Sequence, residues 1–324
     1  MMDDDHYFLY DGTTEITAGT THLKTTPKFN GYFEIPQSIT HLIFGKHYNQ
    51  ITNHLPQSIT HLTFGRCYNQ ITNELPNSIT HLTFGDDYNQ VTDQLPQSIT
   101  HIVFGKSYNQ ITDHLPNSIT HLTFGDDYNQ VTDHLPQSIT HIVFGKSYNQ
   151  ITDHLPESIM HIVFGNNYNQ LTNRLPPNVV NLKFGYYYNQ LTNRLPSIKY
   201  LTFGESYNRP TKKLPHSITH LTFGTYFGQT TNYLPQGITH LTFGHCYNQL
   251  TDHLPHSITH LTYGYRFNHP VDHLPPNITH LTFGGRFNQR VDKLPPNITH
   301  IVFGEYYPLG AYRYQCENTD NNAG

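Results

Sequence analysis

Residues 55–74 read LPQSITHLTFGRCYNQITNE, and residues 75–94 read LPNSITHLTFGDDYNQVTDQ. The two stretches are nearly the same, which identifies a repeated unit of twenty residues as the building block of the chain. Fourteen units open with Leu-Pro or Ile-Pro, and all have twenty residues except the nineteen-residue unit at 195. The units begin at residues 35, 55, 75, 95, 115, 135, 155, 175, 195, 214, 234, 254, 274 and 294.

The repeat also sets the predicted domain organisation. Residues 1–11 form an acidic N-terminal segment, and residues 12–34 contain a degenerate copy of the unit. Terminal repeats of a solenoid are atypical because they cover an otherwise open core, so we expect 12–34 to act as a cap. The fourteen units occupy 35–308, and 309–324 are predicted to form a C-terminal cap and polar tail. No linker divides the units, which indicates one elongated domain.

Each unit contains one signal for a short strand. Leu62 and Phe64 alternate with His61 and Thr63, the period of two that is typical of a strand with one buried face. Gly65 follows, and glycine recurs there in every unit. The sequence therefore predicts a β-rich repeat solenoid with one short parallel strand per 20-residue rung, a glycine turn, an irregular return, and little or no helix.

The apolar positions of a unit are expected to form the core. One unit cannot offset the conformational entropy of twenty ordered residues, so the rungs must stack to fold. Ser58 and its equivalents are expected to serve the turn after Leu-Pro. In the unit at 55–74 the six apolar residues expected to be buried are Leu55, Ile59, Leu62, Phe64, Tyr68 and Ile71.

Asparagine is the most regular polar feature, since it recurs at one position in twelve of fourteen units. An amide carries donors and an acceptor together, so a column of buried amides is predicted to satisfy turn backbone and link neighbouring rungs. Gly228 and Pro308 are the exceptions. The predicted structural ladder consists of Asn49, Asn69, Asn89, Asn109, Asn129, Asn149, Asn169, Asn189, Asn208, Asn248, Asn268 and Asn288.

An aromatic-Asn pair followed six residues later by Leu-Pro marks a known family. Residues 68–76 (YNQITNELP) and 287–295 (FNQRVDKLP) both carry this mark, and a Leu-x-Phe-Gly strand follows the first. Over about residues 20–308 the sequence resembles the FNIP-repeat family, a relative of the leucine-rich repeats. The resemblance implies a leucine-rich-repeat-like (LRR-like) solenoid from a social amoeba or a giant virus of amoebae.

Some members of that family carry an F-box, which implies work as a substrate adaptor for a ubiquitin ligase. The stretch before the first unit is too short for an F-box. An adaptor without its own F-box is therefore kept as an alternative function.

Histidine occupies the outward strand face in twelve of fourteen units. Three interpretations stay open: structural stacking, a binding surface, and a metal site. Zinc needs three or four ligands around one point, whereas this column offers a line, so no metal ligand is predicted. Crowded imidazoles resist charging together, and we expect the column to loosen in acid. The histidines are His41, His61, His81, His101, His121, His141, His161, His220, His240, His260, His280 and His300.

Composition limits the function classes further. The net charge is -5, and no apolar run approaches the roughly 18 residues of a membrane span. The acidic start lacks a signal-peptide pattern, and Cys67 and Cys246 lie nine units apart, which favours the reducing cytoplasm, the host cytoplasm if the chain is viral. No nucleophile with its base and no phosphate loop is present, so we predict no enzyme, no catalytic residue and no cofactor.

One section departs from the regular pattern and is predicted to bind a partner. Seven basic residues lie between 171 and 213, against one acidic residue, Glu205. Tyrosine and arginine dominate protein-binding hot spots. The candidate residues are Arg174, Lys183, Tyr186, Tyr187, Arg194, Lys199, Tyr200 and Arg209.

The sequence as a whole thus predicts a monomeric, noncatalytic protein–protein interaction scaffold. Its partner is an unidentified protein, with nucleic acid and membrane disfavoured because the chain is acidic and lacks an apolar span. The alternatives are the adaptor without an F-box and a metal- or surface-binding solenoid that uses the histidine column.

Overall fold

The computed structural model describes residues 6–305, which form sixteen short β-strands and no helix. The ends of the predicted domains at 1–5 and 306–324, with Pro308, Cys316 and the polar tail, lie outside the described residues. No segment within 6–305 is a helix able to span a membrane. The strands are β1 (Phe8–Tyr10), β2 (His22–Thr25), β3 (His41–Ile43), β4 (His61–Thr63), β5 (His81–Thr83), β6 (His101–Val103), β7 (His121–Thr123), β8 (His141–Val143), β9 (His161–Val163), β10 (Asn181–Lys183), β11 (Tyr200–Thr202), β12 (His220–Thr222), β13 (His240–Thr242), β14 (His260–Thr262), β15 (His280–Thr282) and β16 (His300–Val302).

All strands belong to one parallel sheet in which every strand pairs with the next in sequence. The register repeats the unit, so that Leu62 pairs with Leu82. At the nineteen-residue unit the register is kept, because Leu182 pairs with Leu201 and the missing residue falls outside the strands. The predicted LRR-like β-solenoid, with one parallel strand per rung, is confirmed.

The acidic N-terminal segment contributes a strand that the sequence pattern did not predict. Strand β1 pairs in parallel with β2, with Phe8 opposite Leu23. Phe8 is buried, and it joins the same apolar core as the later rungs. Residues 8–10 therefore extend the sheet beyond the degenerate unit at 12–34.

The core is a set of stacked columns inside the coil. In the unit at 55–74, Leu55, Ile59, Leu62, Phe64 and Tyr68 are all buried. The Phe64 and Tyr68 rings stack within the rung at 3.7 Å between centroids. The centroid of the Phe64 ring lies 5.8 Å from that of the equivalent phenylalanine in the next rung, and the centroid of the Tyr68 ring lies 6.1 Å from that of the equivalent tyrosine. Aromatic columns thus fill the interior along the whole solenoid.

The sixth residue of the expected core is not buried. Ile71 is 55% exposed, and its equivalents in neighbouring rungs are exposed to a similar degree. Buried Thr72 follows it, so the chain there alternates outward and inward, and isoleucine takes the outward place.

Close contact between rungs explains the glycine column. A Cβ atom on Gly65 would overlap the backbone carbonyl of Gly45 in the preceding rung. These glycines do not adopt positive φ, which occurs among glycines of the described chain only at Gly12 and Gly19. The glycine is required because two backbones meet, not because the turn needs a left-handed conformation.

Buried hydroxyl groups join successive rungs through the core. Thr52 Oγ1 and Tyr68 Oη lie 3.1 Å apart in a hydrogen bond. Burial raises the pKa of Tyr68 to about 12, against the opposing effect of the Thr52 hydrogen bond. Ser58 lies in the turn after Leu55-Pro56, as the sequence predicts, and it also links rungs, since its hydroxyl donates to the Ile39 carbonyl at 2.7 Å.

Candidate functional site

The asparagine column lies on one edge of the coil and bonds rung to rung. The Asn69 backbone N–H donates to Asn49 Oδ1 at 2.9 Å, and Gln70 Nε2 donates to the Asn49 carbonyl at 3.2 Å. Side chains such as Asn69 are half-buried and Asn89 is exposed, whereas the sequence predicted buried amides. The backbone bond recurs from Asn30 to Gly228 and from Asn248 to Asn288.

One predicted partner-binding residue is part of this ladder. Arg209 stands where other rungs have glutamine, and its Nε donates to the Asn189 carbonyl at 2.8 Å. The Gly228 backbone N–H donates to Asn208 Oδ1 at 3.1 Å, but Gly228 has no side chain with which to accept from the following rung. The ladder is thus interrupted one rung beyond Arg209.

The histidines of the outward strand face stack into two columns. His61 and His81 have ring centroids 4.2 Å apart at an interplanar angle of 11°. The same arrangement joins eight rings from His22 to His161 and five rings from His220 to His300, at 4.1–4.3 Å.

Threonines hold these rings at one nitrogen. Thr60 Oγ1 lies 2.9 Å from His61 Nδ1, and the pair recurs in most rungs. Burial, together with the neighbouring imidazoles, lowers the pKa of His61 to about 4. The pKa is also lowered, with burial as the main cause, for His41, His81, His101, His121, His141, His220, His240 and His260.

The parallel rings do not form a metal centre. Because the threonine of the same rung holds Nδ1 of every stacked ring except that of His161, the second nitrogens of successive rings run side by side and do not converge on one point. Zinc requires ligands that converge at about 2 Å. Between residues 6 and 305 no group of three or more potential ligands is placed to hold a metal ion.

The histidine columns break at strands β10 and β11. Asn181 and Tyr200 take the places of the histidines there, and both are exposed. Lys183, on the same outward face of β10, is exposed as well. The Tyr200 ring leans on His220 at 4.6 Å and 37°, so the regular stack resumes only with β12. Among strands β2 to β15, β10 is the one in which both outward residues are exposed.

Several predicted partner-binding residues gather beside this break. Lys183 and Tyr186 line one open groove together with Glu205. The Tyr186 ring contacts the Tyr187 ring edge-on at 4.7 Å, and Tyr226 raises the pKa of Tyr186 by its charge and a hydrogen bond. Lys199 is exposed next to Tyr200. We call Lys183, Tyr186, Tyr187, Lys199 and Tyr200 the β10–β11 surface.

The other predicted residues lie elsewhere on the rung. Arg174 and Arg194 are exposed in the turn just before Leu175-Pro176 and Leu195-Pro196, on the return side of the coil. Residues nine apart in a twenty-residue rung face nearly opposite sides, which separates Arg174 from Lys183. The eight candidates therefore fall into three places: the β10–β11 surface, the asparagine ladder and the return side.

The return side also carries a surface that sequence reasoning missed. Eight consecutive rungs expose an aliphatic side chain there, each 47–63% accessible. A signal existed in the sequence, because the same column later accepts Thr230 and Arg290, which a buried column would not. We call this set the aliphatic row: Ile51, Ile71, Val91, Ile111, Val131, Ile151, Leu171 and Leu191.

The stacked parallel strands, asparagine ladder and aromatic core define an LRR-like solenoid. Its sequence matches the FNIP Repeat family model, and the chain belongs to that family. The matched segments are residues 29–67, 68–107, 91–127, 108–134, 148–187, 171–206, 193–226, 207–246, 229–266 and 267–306.

The chain is similar to several solved structures. CroV588, a circular leucine-rich-repeat protein of a giant virus, is 40% identical with a TM-score of 0.61, over 89% of this chain and 57% of that one. An internalin of Listeria monocytogenes is 13% identical with a TM-score of 0.48, over 82% of this chain and 80% of that one. YopM of Yersinia enterocolitica is 15% identical with a TM-score of 0.38, over 88% and 86%. Among curated proteins no match was found.

Proposed function

We propose that this protein is a noncatalytic scaffold that binds another protein through the β10–β11 surface. Solenoids with an LRR-like fold commonly serve protein–protein interaction, because stacked rungs provide one extended surface. The observation that carries the proposal is the break in the histidine columns, where Asn181 and Tyr200 replace the imidazoles and Lys183 is exposed on the same face.

The chemistry of the surface favours an acidic partner. Lys183 in β10 and Lys199 just before β11 supply two exposed charges, and Tyr186, Tyr187 and Tyr200 supply rigid amphipathic rings around them. Tyrosine anchors within a charged rim are typical of binding hot spots. We therefore expect an acidic segment of the partner to lie across β10 and β11.

A scaffold rather than an enzyme is supported by the regularity of the chain. Residues 75–114 and 115–154 differ at one position, Gln94 against His134. Catalysis needs one asymmetric set of groups, which duplicated rungs do not provide. We place the protein in the cytoplasm, because its described cysteines, Cys67 and Cys246, are free thiols nine units apart.

Affinity capture tests the surface directly. The tagged chain is incubated with amoebal cell lysate beside a Lys183→Ser/Tyr186→Ser variant, and retained proteins are identified by mass spectrometry. The control is Val103→Ser/Lys106→Ser, which changes the same two positions four rungs away. We expect a partner that is kept by the wild type and the control and lost by the variant. Equal retention by all three would exclude the β10–β11 surface.

A further inference from the structure

The aliphatic row lies beside a row of charges on the return side. In the fourth rung Ile111 is 56% exposed, Thr112 is buried, and Asp113 is exposed again. The alternation places the aliphatic and the charged side chain next to each other on the same outward face. Because it repeats in each rung, two parallel stripes run along the solenoid, one apolar and one polar.

The charged stripe changes sign along its length. Four consecutive rungs carry the acids Asp93, Asp113, Asp133 and Asp153. In the next two rungs the equivalent positions are Asn173 and Asn193, and an exposed base follows each of them directly, Arg174 and Arg194. The third rung carries Lys212 and Lys213. Within the described chain none of these acids or arginines forms an ion pair, and Lys212 lies over the Tyr233 ring at 5.4 Å.

Such a surface is complementary to itself when one copy is inverted. The two-fold axis lies in the plane of this face, perpendicular to the long axis of the solenoid, between the rungs of Ile151 and Leu171. It places the two solenoids face to face and antiparallel. Each rung then faces the rung at equal distance on the other side of the axis. In the two pairs nearest the axis, Ile151 meets Leu171 of the second copy.

The same operation matches the charges. Asp153 faces Arg174 of the second copy, and Asp133 faces Arg194. One rung farther out, Asp113 faces Lys212 and Lys213. The aliphatic stripes close against each other beside the facing charge rows, with Val131 opposite Leu191 in the second rung pair. A parallel arrangement would instead bring each acidic rung to the same acidic rung of the second copy, without any base to meet it.

We propose that the return side is the interface of an antiparallel homodimer. Eight consecutive exposed aliphatic side chains form a continuous stripe, and contiguous apolar surface of this kind marks interaction sites. The order of four acidic rungs followed by three basic rungs selects a second copy as the occupant, since one chain supplies both halves. This departs from the monomer that the sequence predicts, and it is independent of the β10–β11 surface.

The mass of the full chain in solution tests the dimer. Sedimentation equilibrium at about 100 μM would detect a dimer with a Kd near 1 μM almost fully formed. We expect the wild type to be dimeric, and Val131→Asp/Ile151→Asp to be monomeric. Val103→Asp, an exposed aliphatic residue of the strand face, is the control and stays dimeric. Circular dichroism and thermal unfolding establish that each variant is folded.

Charge reversal separates this arrangement from any other association. Asp133→Arg/Asp153→Arg makes the four rungs nearest the axis basic, and Arg174→Glu/Arg194→Glu makes the same four rungs acidic. Each variant alone should weaken the dimer by about tenfold or more. An equimolar mixture of the two should form a heterodimer, and the chain with all four changes should recover the homodimer.

A wild type that stays monomeric at about 100 μM overturns the proposal, as does a dimer that is indifferent to these reversals. A monomer that captures a basic protein through Asp133 and Asp153 would assign the stripe to that class of partner instead. Binding of a partner protein at the β10–β11 surface is tested independently, because the charge reversals leave Lys183 and Tyr186 unchanged.

Discussion

At the scale of single residues, most buried hydroxyl groups in the described rungs follow a pairing rule. A buried threonine meets a tyrosine hydroxyl of the next rung, as Thr192 meets Tyr207 at 3.1 Å. Where tyrosine is replaced by Phe287, the preceding rung has Val271 in place of threonine. Both partners change together because a buried hydroxyl without a hydrogen bond is costly.

Thr211 breaks this rule. It faces Phe227, which has no hydroxyl, and its Oγ1 is the only buried side-chain polar atom without a hydrogen bond in residues 6–305. Thr211→Val should therefore raise the free energy of unfolding by about 1 kcal/mol, measured by urea denaturation. The matched change Thr192→Val should lower it, because Tyr207 loses its partner. A loss of stability in both variants would refute the pairing rule.

The glycine column gives a second prediction at this scale. A Cβ on Gly125 would overlap the Gly105 carbonyl, which belongs to backbone and cannot turn aside. Gly125→Ala should destabilise the chain by about 1–3 kcal/mol or more, detected by thermal unfolding. At Gly228 a Cβ meets no atom within 4 Å, so Gly228→Ala should change stability by less than about 0.5 kcal/mol. Similar effects in both would show that contact between rungs is not the reason for glycine.

At the scale of the rung, two things decide the role of a residue: whether it points inward or outward, and the side of the coil on which it lies. The alternation of Leu62 and Phe64 with polar residues was enough to predict the strand and its inward face. Hydrophobicity alone placed Ile71 in the core, and it failed because the return segment alternates too and isoleucine points outward. The partner-binding residues were chosen by their position along the chain. That choice ignores the direction in which a rung turns, and it therefore grouped Arg174 with Lys183 although the two residues lie on different sides of the coil.

The histidine column makes stability depend on pH. The pKa of His61 falls to about 4 in the folded chain, from an ordinary value of 6.5, chiefly through burial. The unfolded chain therefore binds more protons between these values, so stability is full above about pH 6.5 and is lost as the pH falls toward 4. Denaturation midpoints measured from pH 7 to 4 should show this loss.

A variant isolates the contribution of the column. His101→Asn/His121→Asn removes two titrating rings and replaces them with asparagine, which occurs naturally at the equivalent position, Asn181. We expect a shallower loss of stability with acid than in the wild type. His114→Asn/His134→Asn, two exposed histidines of the return side, should leave the slope unchanged. Equal slopes in all three chains would mean that other groups cause the acid sensitivity.

At the scale of the whole molecule, regular rungs build the solenoid and departures from regularity distinguish its surfaces. The fold could be predicted because fourteen copies repeat one pattern. The return side could not be, because its acidic and basic rungs acquire meaning only when the stripes are laid out in space. Lys183 and Tyr200 lie seventeen positions apart in sequence yet belong to adjacent paired strands.

Hydrogen–deuterium exchange of the chain, alone and with its captured partner, tests the central claim most directly. A partner on the β10–β11 surface should slow exchange in residues 181–187 and 199–205 and leave the equivalent residues 101–107 unchanged. Slowed exchange confined to other rungs, with 181–187 unaffected, would contradict the account.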